Sequence, residues 1–321
     1  MRCRILAALI CLVALPRGGP AQEAAKVWRV GILAPSRRPE VLEALIDGLR
    51  ERGYVEGRNL AVEYRVADGD YSRLPALAAD LVRLPVDVLV ADASPAAGAA
   101  EKVTQAIPIV FVVGGAVENG LVKSLAHPGG NATGISVLLR DVGVKDLEML
   151  SRMVPRLSRV GVLSNPANGA HVGHLKNFQT AAESRGITVV SVQAGTPADI
   201  EGAFSGLEAG RVGALYWISD PFLNQQARLI ADLSAKHRLP SITTDALYPS
   251  VGGLMSYGAS QRAMWRYLAV YVDKVLRGAN PGDLPVEQPT TFAFVVNRKT
   301  AKALGLTIPA DLLVQADKVI E

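Results

Sequence analysis

After Gln22 the chain alternates two patterns of hydrophobic and polar positions. Short, mostly apolar runs lie at 29–33, 60–65, 87–91, 109–113, 159–163, 188–192, 214–218 and 241–243, and each predicts a strand. Between them, apolar residues recur every three or four positions over 40–52, 74–84, 175–185, 199–209 and 224–237, which predicts helices. Over 40–52 the stripe consists of Val41, Leu42, Leu45, Ile46 and Leu49. Strands that are apolar along most of their length suit a sheet covered on both faces. Strand–helix alternation of this kind predicts βαβ units around parallel sheets.

The pattern occurs twice. "RVGILAPS" at 29–36 matches "RVGVLSNP" at 159–166, and each is followed by a helical stretch ending in Arg-Gly, at Arg52-Gly53 and Arg185-Gly186. A glycine just past a helix suits the left-handed conformation that often ends one. Two similar α/β lobes are therefore expected rather than one large sheet. The glycine-rich stretch 129–136 reads as a connector between them. A further helix is predicted over 261–276, with Trp265, Tyr267 and Tyr271 as packing residues. The C-terminal stretch predicts one strand and two short helices.

The 321 residues are enough for two domains, and a hydrophobic fraction of 49% raises the question of a membrane or targeting segment. Met1-Arg2-Cys3-Arg4 is basic, 5–15 is an unbroken apolar run of eleven residues, and small residues Gly19 and Ala21 precede Gln22. That layout predicts a cleaved signal peptide over 1–21, because eleven residues are too few to span a bilayer. Both cysteines, Cys3 and Cys11, lie in it, so the mature chain is expected to have no disulfide and no cysteine-ligated metal. Three arginines and no acid lie there too, which takes the formal charge from +4 to +1. That balance calls for neither nucleic acid nor a membrane surface as partner.

Open parallel sheets bind ligands beyond the carboxyl ends of their strands. In the first lobe those ends carry Ser36, the turn Ser94-Pro95-Ala96-Ala97, and a loop with Ala116 and Val117. In the second they carry Asn165, Asp220 with Phe222, and Asp245. Ser94 has the N-cap position, with Pro95 first in the helix. Two readings stand: a simple cap, or a helix start whose free N–H groups hold an anion. Asp220 reads either as a cap or as a partner for an ammonium group, and Asp245 lacks the capping excuse. Phe222 either flanks a ligand or covers the base of a helix. Enzyme signatures are absent: there is no Gly-x-Ser-x-Gly elbow, no phosphate-binding glycine loop and no thiol in the mature chain. His171-x-x-His174 lacks an evident third ligand, so no metal or cofactor is expected.

The chain resembles the ABC transporter substrate-binding protein family typified by tryptophan/tyrosine transport system binding proteins. The resemblance is carried by "GLRERGYVEGRNLAVEYRVADGD" (48–70), "LPVDVLVADASPAAGAAEKVTQAIPIVFVVGGAV" (84–117), "GLVKSLAHPGGNATGIS" (120–136), "VGVLSNPAN" (161–168), "GGLMSYGAS" (252–260) and "KALGLTIPADLLVQAD" (302–317). It implies a type I periplasmic binding protein: two doubly wound parallel-sheet α/β lobes joined by a hinge, 27–140 with 257–283 and 141–256 with 284–321. It also implies closure on a small ligand and its delivery to a membrane ABC permease; with the leader, the expectation is a monomeric periplasmic protein that takes an amino acid-like ligand with a carboxylate. By position, Ser94 to Ala97 match the family's carboxylate turn, Asn165 its Asn-Pro turn, and Tyr257 its crossing segment. The anionic end of the ligand would then meet Ser36, Ser94 and the Ala96 and Ala116 amides, and Asp220 or Asp245 would take the ammonium group. Val117-Glu118-Asn119 departs from the family's Asp-Pro-Val, so ligand identity is not carried over. The alternatives are a ligand-sensing module for a signalling receptor and an exported α/β enzyme.

Overall fold

The apolar runs become strands because only a covered sheet removes both of their faces from water. The computed structural model describes residues 26–137 and 139–321. The leader read over 1–21 lies outside the described residues. The first lobe contains β1 (Trp28–Ala34), α1 (Pro39–Glu51), β2 (Leu60–Val66), α2 (Leu74–Arg83), β3 (Val88–Asp92), α3 (Ala93–Val103), β4 (Ile109–Gly114) and β5 (Ala132–Val137). Its five strands are all parallel, in the order β2-β1-β3-β4-β5.

The second lobe contains α4 (Leu139–Met153), β6 (Arg159–Ser164), α5 (Ala170–Glu183), β7 (Thr188–Gln193), α6 (Pro197–Ala209) and β8 (Ala214–Trp217). It continues through α7 (Pro221–Gln225), α8 (Ala227–Lys236), β9 (Ser241–Thr243) and β10 (Met255–Ala259). The chain then returns to the first lobe with α9 (Gln261–Leu276). It ends in the second sheet with β11 (Phe292–Asn297), α10 (Arg298–Ala303), α11 (Ala310–Gln315) and β12 (Lys318–Ile320). The seven strands run β7-β6-β8-β9-β10-β11-β12, with only the β10–β11 pair antiparallel. The first five repeat the order of the first sheet, and the two matching octapeptides fall on β1 and β6. Two doubly wound lobes are thus the observed fold, and the duplication read from the sequence is real.

Three expectations need correction. The stretch 129–136 is not merely a connector: Ala132 onward forms β5, buried from Ala132 to Ser136, which closes the edge of the first sheet. The helix expected over 224–237 starts at Pro221 and breaks at Gln226 into α7 and α8. The helix expected from 175 starts at Ala170, which brings His171 and His174 onto its first turns.

The chain crosses between lobes after β5, after β10 and before β11. Glu287 bridges to Ile135 beside β5, and its carbonyl accepts the Ser136 N–H at 2.9 Å. The returning α9 packs Trp265, Leu268 and Val272 onto the first lobe. It approaches α1 so closely that a Cβ on Gly48 would lie 2.4 Å from the Arg266 carbonyl oxygen. Among the described residues no helix is long and apolar enough to cross a membrane.

Candidate ligand cleft

β3 is buried end to end and finishes on a carboxylate, Asp92. Arg38, just ahead of α1, places Nη1 3.1 and 3.3 Å from the two Asp92 oxygens. Its Nη2 donates to Gln261 Oε1 at 3.1 Å, at the start of α9. The ion pair thereby ties together the β1–α1 turn, the end of β3 and the returning helix. Burial raises the Asp92 carboxyl above its ordinary range, the Arg38 guanidinium opposes that rise, and Asp220 adds to it.

The next residue, Ala93, has φ 65°, a left-handed conformation that costs a side-chain-bearing residue about 1–3 kcal/mol. This turn starts α3 one residue ahead of Ser94, so Ser94 is not the cap. Its hydroxyl donates to the Gly114 carbonyl at 3.2 Å. The N–H groups of Ala96 and Ala97 then fall within the helical pattern, four residues past Asp92 and Ala93. As the first two residues of α3, Ala93 and Ser94 have amides outside the ladder, and Pro95, the third, has no N–H at all. The Ala116 amide is also taken, donating to Ser136 Oγ at 2.9 Å. The anion-binding amides expected at Ala96, Ala97 and Ala116 are therefore already committed within the fold.

In the second lobe Asp220 caps α7. Its Oδ1 accepts from the Phe222 and Leu223 N–H groups at 3.0 and 3.1 Å and from Asn165 Nδ2 at 3.2 Å. Its Oδ2 accepts from Asn168 Nδ2 at 3.1 Å and from the Tyr71 hydroxyl of the first lobe at 2.8 Å. With five donors on two oxygens, this carboxylate has little capacity left for an ammonium group. Tyr71 also accepts the Phe222 N–H at 3.2 Å, so it joins the lobes at one point. Burial and Asp220 push its phenol far above the ordinary range, keeping it a neutral donor.

His171 on α5 accepts the Asn165 N–H at Nδ1, 3.0 Å away, which places the proton of the neutral ring on Nε2. Burial lowers its pKa, and Nε2 has no hydrogen-bond partner among the described residues. One turn on, His174 Nε2 meets the Tyr216 hydroxyl at 2.6 Å, and burial holds its ring down to about 3. Both rings are neutral at physiological pH. Among the described residues no group of three His, Cys, Asp or Glu side chains is placed to hold a metal.

Where the two sets of strand ends meet lies a cavity of about 90 Å³. Asp92, Ala93 and Ser94 line it from the first lobe, and Asn168, His171, Asp220 and Asn224 from the second. Arg38, Thr244, Gln261 and Met264 close its sides. Of the residues expected from the sequence, Ser94 and Asp220 are there. Pro95 lines a larger outer groove that also includes Tyr71 and Ala167. Phe222 lines a neighbouring groove beside Tyr71, and Ala96 and Ala97 are buried beneath. Ser36 is wholly buried with its hydroxyl unpartnered among the described residues, and Val117 faces solvent. Asn165 supports Asp220 from behind. Asp245 accepts the Leu247 N–H at 3.1 Å, with its carboxyl raised by burial. Tyr257 stacks on Phe292, 5.7 Å between ring centres, in the crossing segment. Sequence reasoning passed over Arg38, Tyr71, Asn168, Gln261 and Met264, and weighed His171 only as a metal ligand. For Asp92 a signal was available: a single acid closing an otherwise apolar strand.

Two duplicated α/β lobes meeting over a cavity at their strand ends define a two-lobed solute-binding protein. Residues 30–320 match the ABC transporter substrate binding protein family, and the chain belongs to it. It is 27% identical to a tyrosine-binding protein of Clostridioides difficile over 285 residues, 88% of this chain and 82% of that one. It is similar to a conserved domain protein of Vibrio cholerae (29% identity, TM-score 0.87), covering 92% of this chain and all of that one. It is also similar to an ABC domain from Streptococcus pneumonia solved with L-Trp (25% identity, TM-score 0.85), with the same coverage. The protein is accordingly a substrate-binding component of an ABC transporter and not an enzyme.

Proposed function

We propose that this chain captures an amino acid outside the cytoplasm, in the periplasm, and presents it to an ABC permease in the inner membrane. The names of its relatives support the ligand class, since one is a tyrosine-binding protein and another was solved with L-Trp. The observation that carries the reading is Asp92, 2% exposed, lining the cavity with Arg38 Nη1 as its one side-chain partner among the described residues. A carboxylate so placed accepts an ammonium group with hydrogen-bonding capacity to spare. The ligand carboxylate then lies against Ser94 and the amides at the start of α3, with the His171 Nε2–H as a further donor. Closure of the two lobes over the ligand shifts an open–closed equilibrium and creates the surface the permease reads.

Calorimetry on the Asp92→Asn variant tests this. Amino acid affinity is expected to fall by about 2 kcal/mol, roughly thirtyfold, the scale for a lost charged hydrogen bond. Unchanged affinity removes Asp92 from the site. Asp220→Asn serves as the contrast, because its carboxylate is saturated by the fold: it is expected to lower the melting temperature more than it lowers affinity.

A further inference from the structure

The cavity has a polar and an apolar side. Asp92, Ser94, Asn168, Asp220 and the imidazole of His171 belong to the polar one. Val112, Val137, Ala259 and Met264 belong to the apolar one, and all four pack in or against the core cluster that also contains Ile135. The space, about 90 Å³, equals the liquid share of about three water molecules, whereas one benzene occupies a protein cavity of about 150 Å³. An ammonium and a carboxylate can replace waters on the polar side. A large side chain attached to them has to lie elsewhere.

The apolar side continues into such a space. A groove of about 420 Å³ on the hinge side is lined by Ile135, Ala263, Tyr267 and Thr290 among others. Ile135 lies two residues before Val137 on β5, hence on the same face, and pairs with Val112. Ala259 and Met264 line both the cavity and the groove. Ala259 has no side chain beyond Cβ, so the Met264 thioether, on the first turn of α9, is the partition. The outer groove is a poorer place for an apolar group. It meets the cavity at Ser94 and Ala170, beside the polar side, and carries Glu101, Lys102, Gln105 and Asn119.

We propose that the ligand is an aromatic amino acid whose head occupies the polar side and whose ring enters the hinge-side groove past Met264. Met264 is the specificity-determining residue. Its unbranched side chain has three rotatable bonds, so it turns aside for the ring and keeps its sulfur in favourable contact with the ring edge. Ile135 and Val137 then lie beneath the ring, with Tyr267 as a further aromatic wall. The proposal rests on the amino acid reading above and sharpens it.

Calorimetry of the full folded chain with each of the common amino acids tests it, and an aromatic one is expected to bind tightest. Ala263→Phe fills the hinge-side groove from an exposed position outside the cavity. It is expected to weaken that ligand about tenfold or more, the scale of a pocket misfit. Gly98→Phe fills the outer groove instead, where an added Cβ has nothing within 4 Å, and is expected to leave the affinity as it is. Magnetic resonance with isotope-labelled methionine methyl groups reads the contact directly. The Met264 signal, identified by its loss in Met264→Leu, is expected to shift on binding through the ring current, more than those of Met149, Met153 and Met255 in the second lobe. Thermal melts show which variants fold, and the wild-type spectra decide if Ala263→Phe does not. Tightest binding of an amino acid without a ring, a loss in Ala263→Phe no larger than in Gly98→Phe, or an unmoved Met264 methyl each overturns the inference and leaves the amino acid reading standing. Failure of every amino acid to bind overturns the underlying reading, and the inference with it.

Discussion

Asp146 is the residue whose burial is hardest to reconcile with its chemistry. It sits on α4, wholly buried, with neither oxygen hydrogen-bonded among the described residues, and burial raises its carboxyl well above the ordinary 3.8. Above pH 3.8 the unfolded chain has released this proton while the folded chain keeps it. Its contribution to stability therefore falls as pH rises toward the folded pKa, by up to about 1.4 kcal/mol per pH unit. His174 acts in the opposite sense. Its folded pKa of about 3 lies below the ordinary 6.5, so its contribution is full above pH 6.5 and is lost as pH falls through that window. Asp146→Asn removes only the first effect. Its stability relative to wild type is expected to rise between pH 5 and pH 8 in denaturant titrations, and a flat difference would mean that Asp146 is ionised in the native state.

Among the elements, the α1–α9 contact is the most demanding. α9 belongs to the first lobe only through tertiary packing, because its sequence follows the last parallel strand of the second. Gly48 allows the approach: a methyl group there would meet the Arg266 carbonyl at 2.4 Å and the Ala269 Cβ at 2.8 Å. Gly48→Ala should improve helix propensity by up to about 1 kcal/mol, but overpacking against rigid backbone costs about 1–3 kcal/mol. A net fall in melting temperature is expected, and a rise would mean that the helices separate at little cost. The turn from β3 into α3 shows the same dependence on tertiary context. Its Ser-Pro pair has the composition of a cap, yet the helix starts at Ala93 and the serine bonds to β4 instead.

For the whole molecule, the lobes are closed on one another, and the Tyr71 hydroxyl spans them. Tyr71 connects the short turn after β2 to both the Asp220 carboxylate and the Phe222 amide. Tyr71→Phe keeps the packing and removes these bonds, which at about 1.5–3 kcal/mol for a charged partner should shift the open–closed equilibrium. Apparent affinity falls by the same factor as the closed population. Small-angle scattering of the ligand-free variant is expected to give a larger radius of gyration than wild type, with weaker ligand binding. Equal radii and equal affinities would show that the bond adds nothing to closure.

Period and repetition in the chain determined the layered fold. Mostly apolar runs have to be covered on both faces, and the paired octapeptides on β1 and β6 announced two like lobes. The same reasoning pointed to the strand ends, where the structure has a cavity that Ser94 and Asp220 line. What the sequence could not decide was which strand-end groups are already spent. Ala96, Ala97 and Ala116 carry the right amides, but helix register and Ser136 claim them. Asp220 has the right charge, but five donors saturate it. Arg38, Gln261 and Met264 enter the cavity from a turn and from a helix that returns to the first lobe only after β10 of the second. Their place depends on long-range packing between α1 and α9, which no local pattern encodes. Local physics chose the elements, and tertiary structure chose which of their polar groups were left free for a ligand.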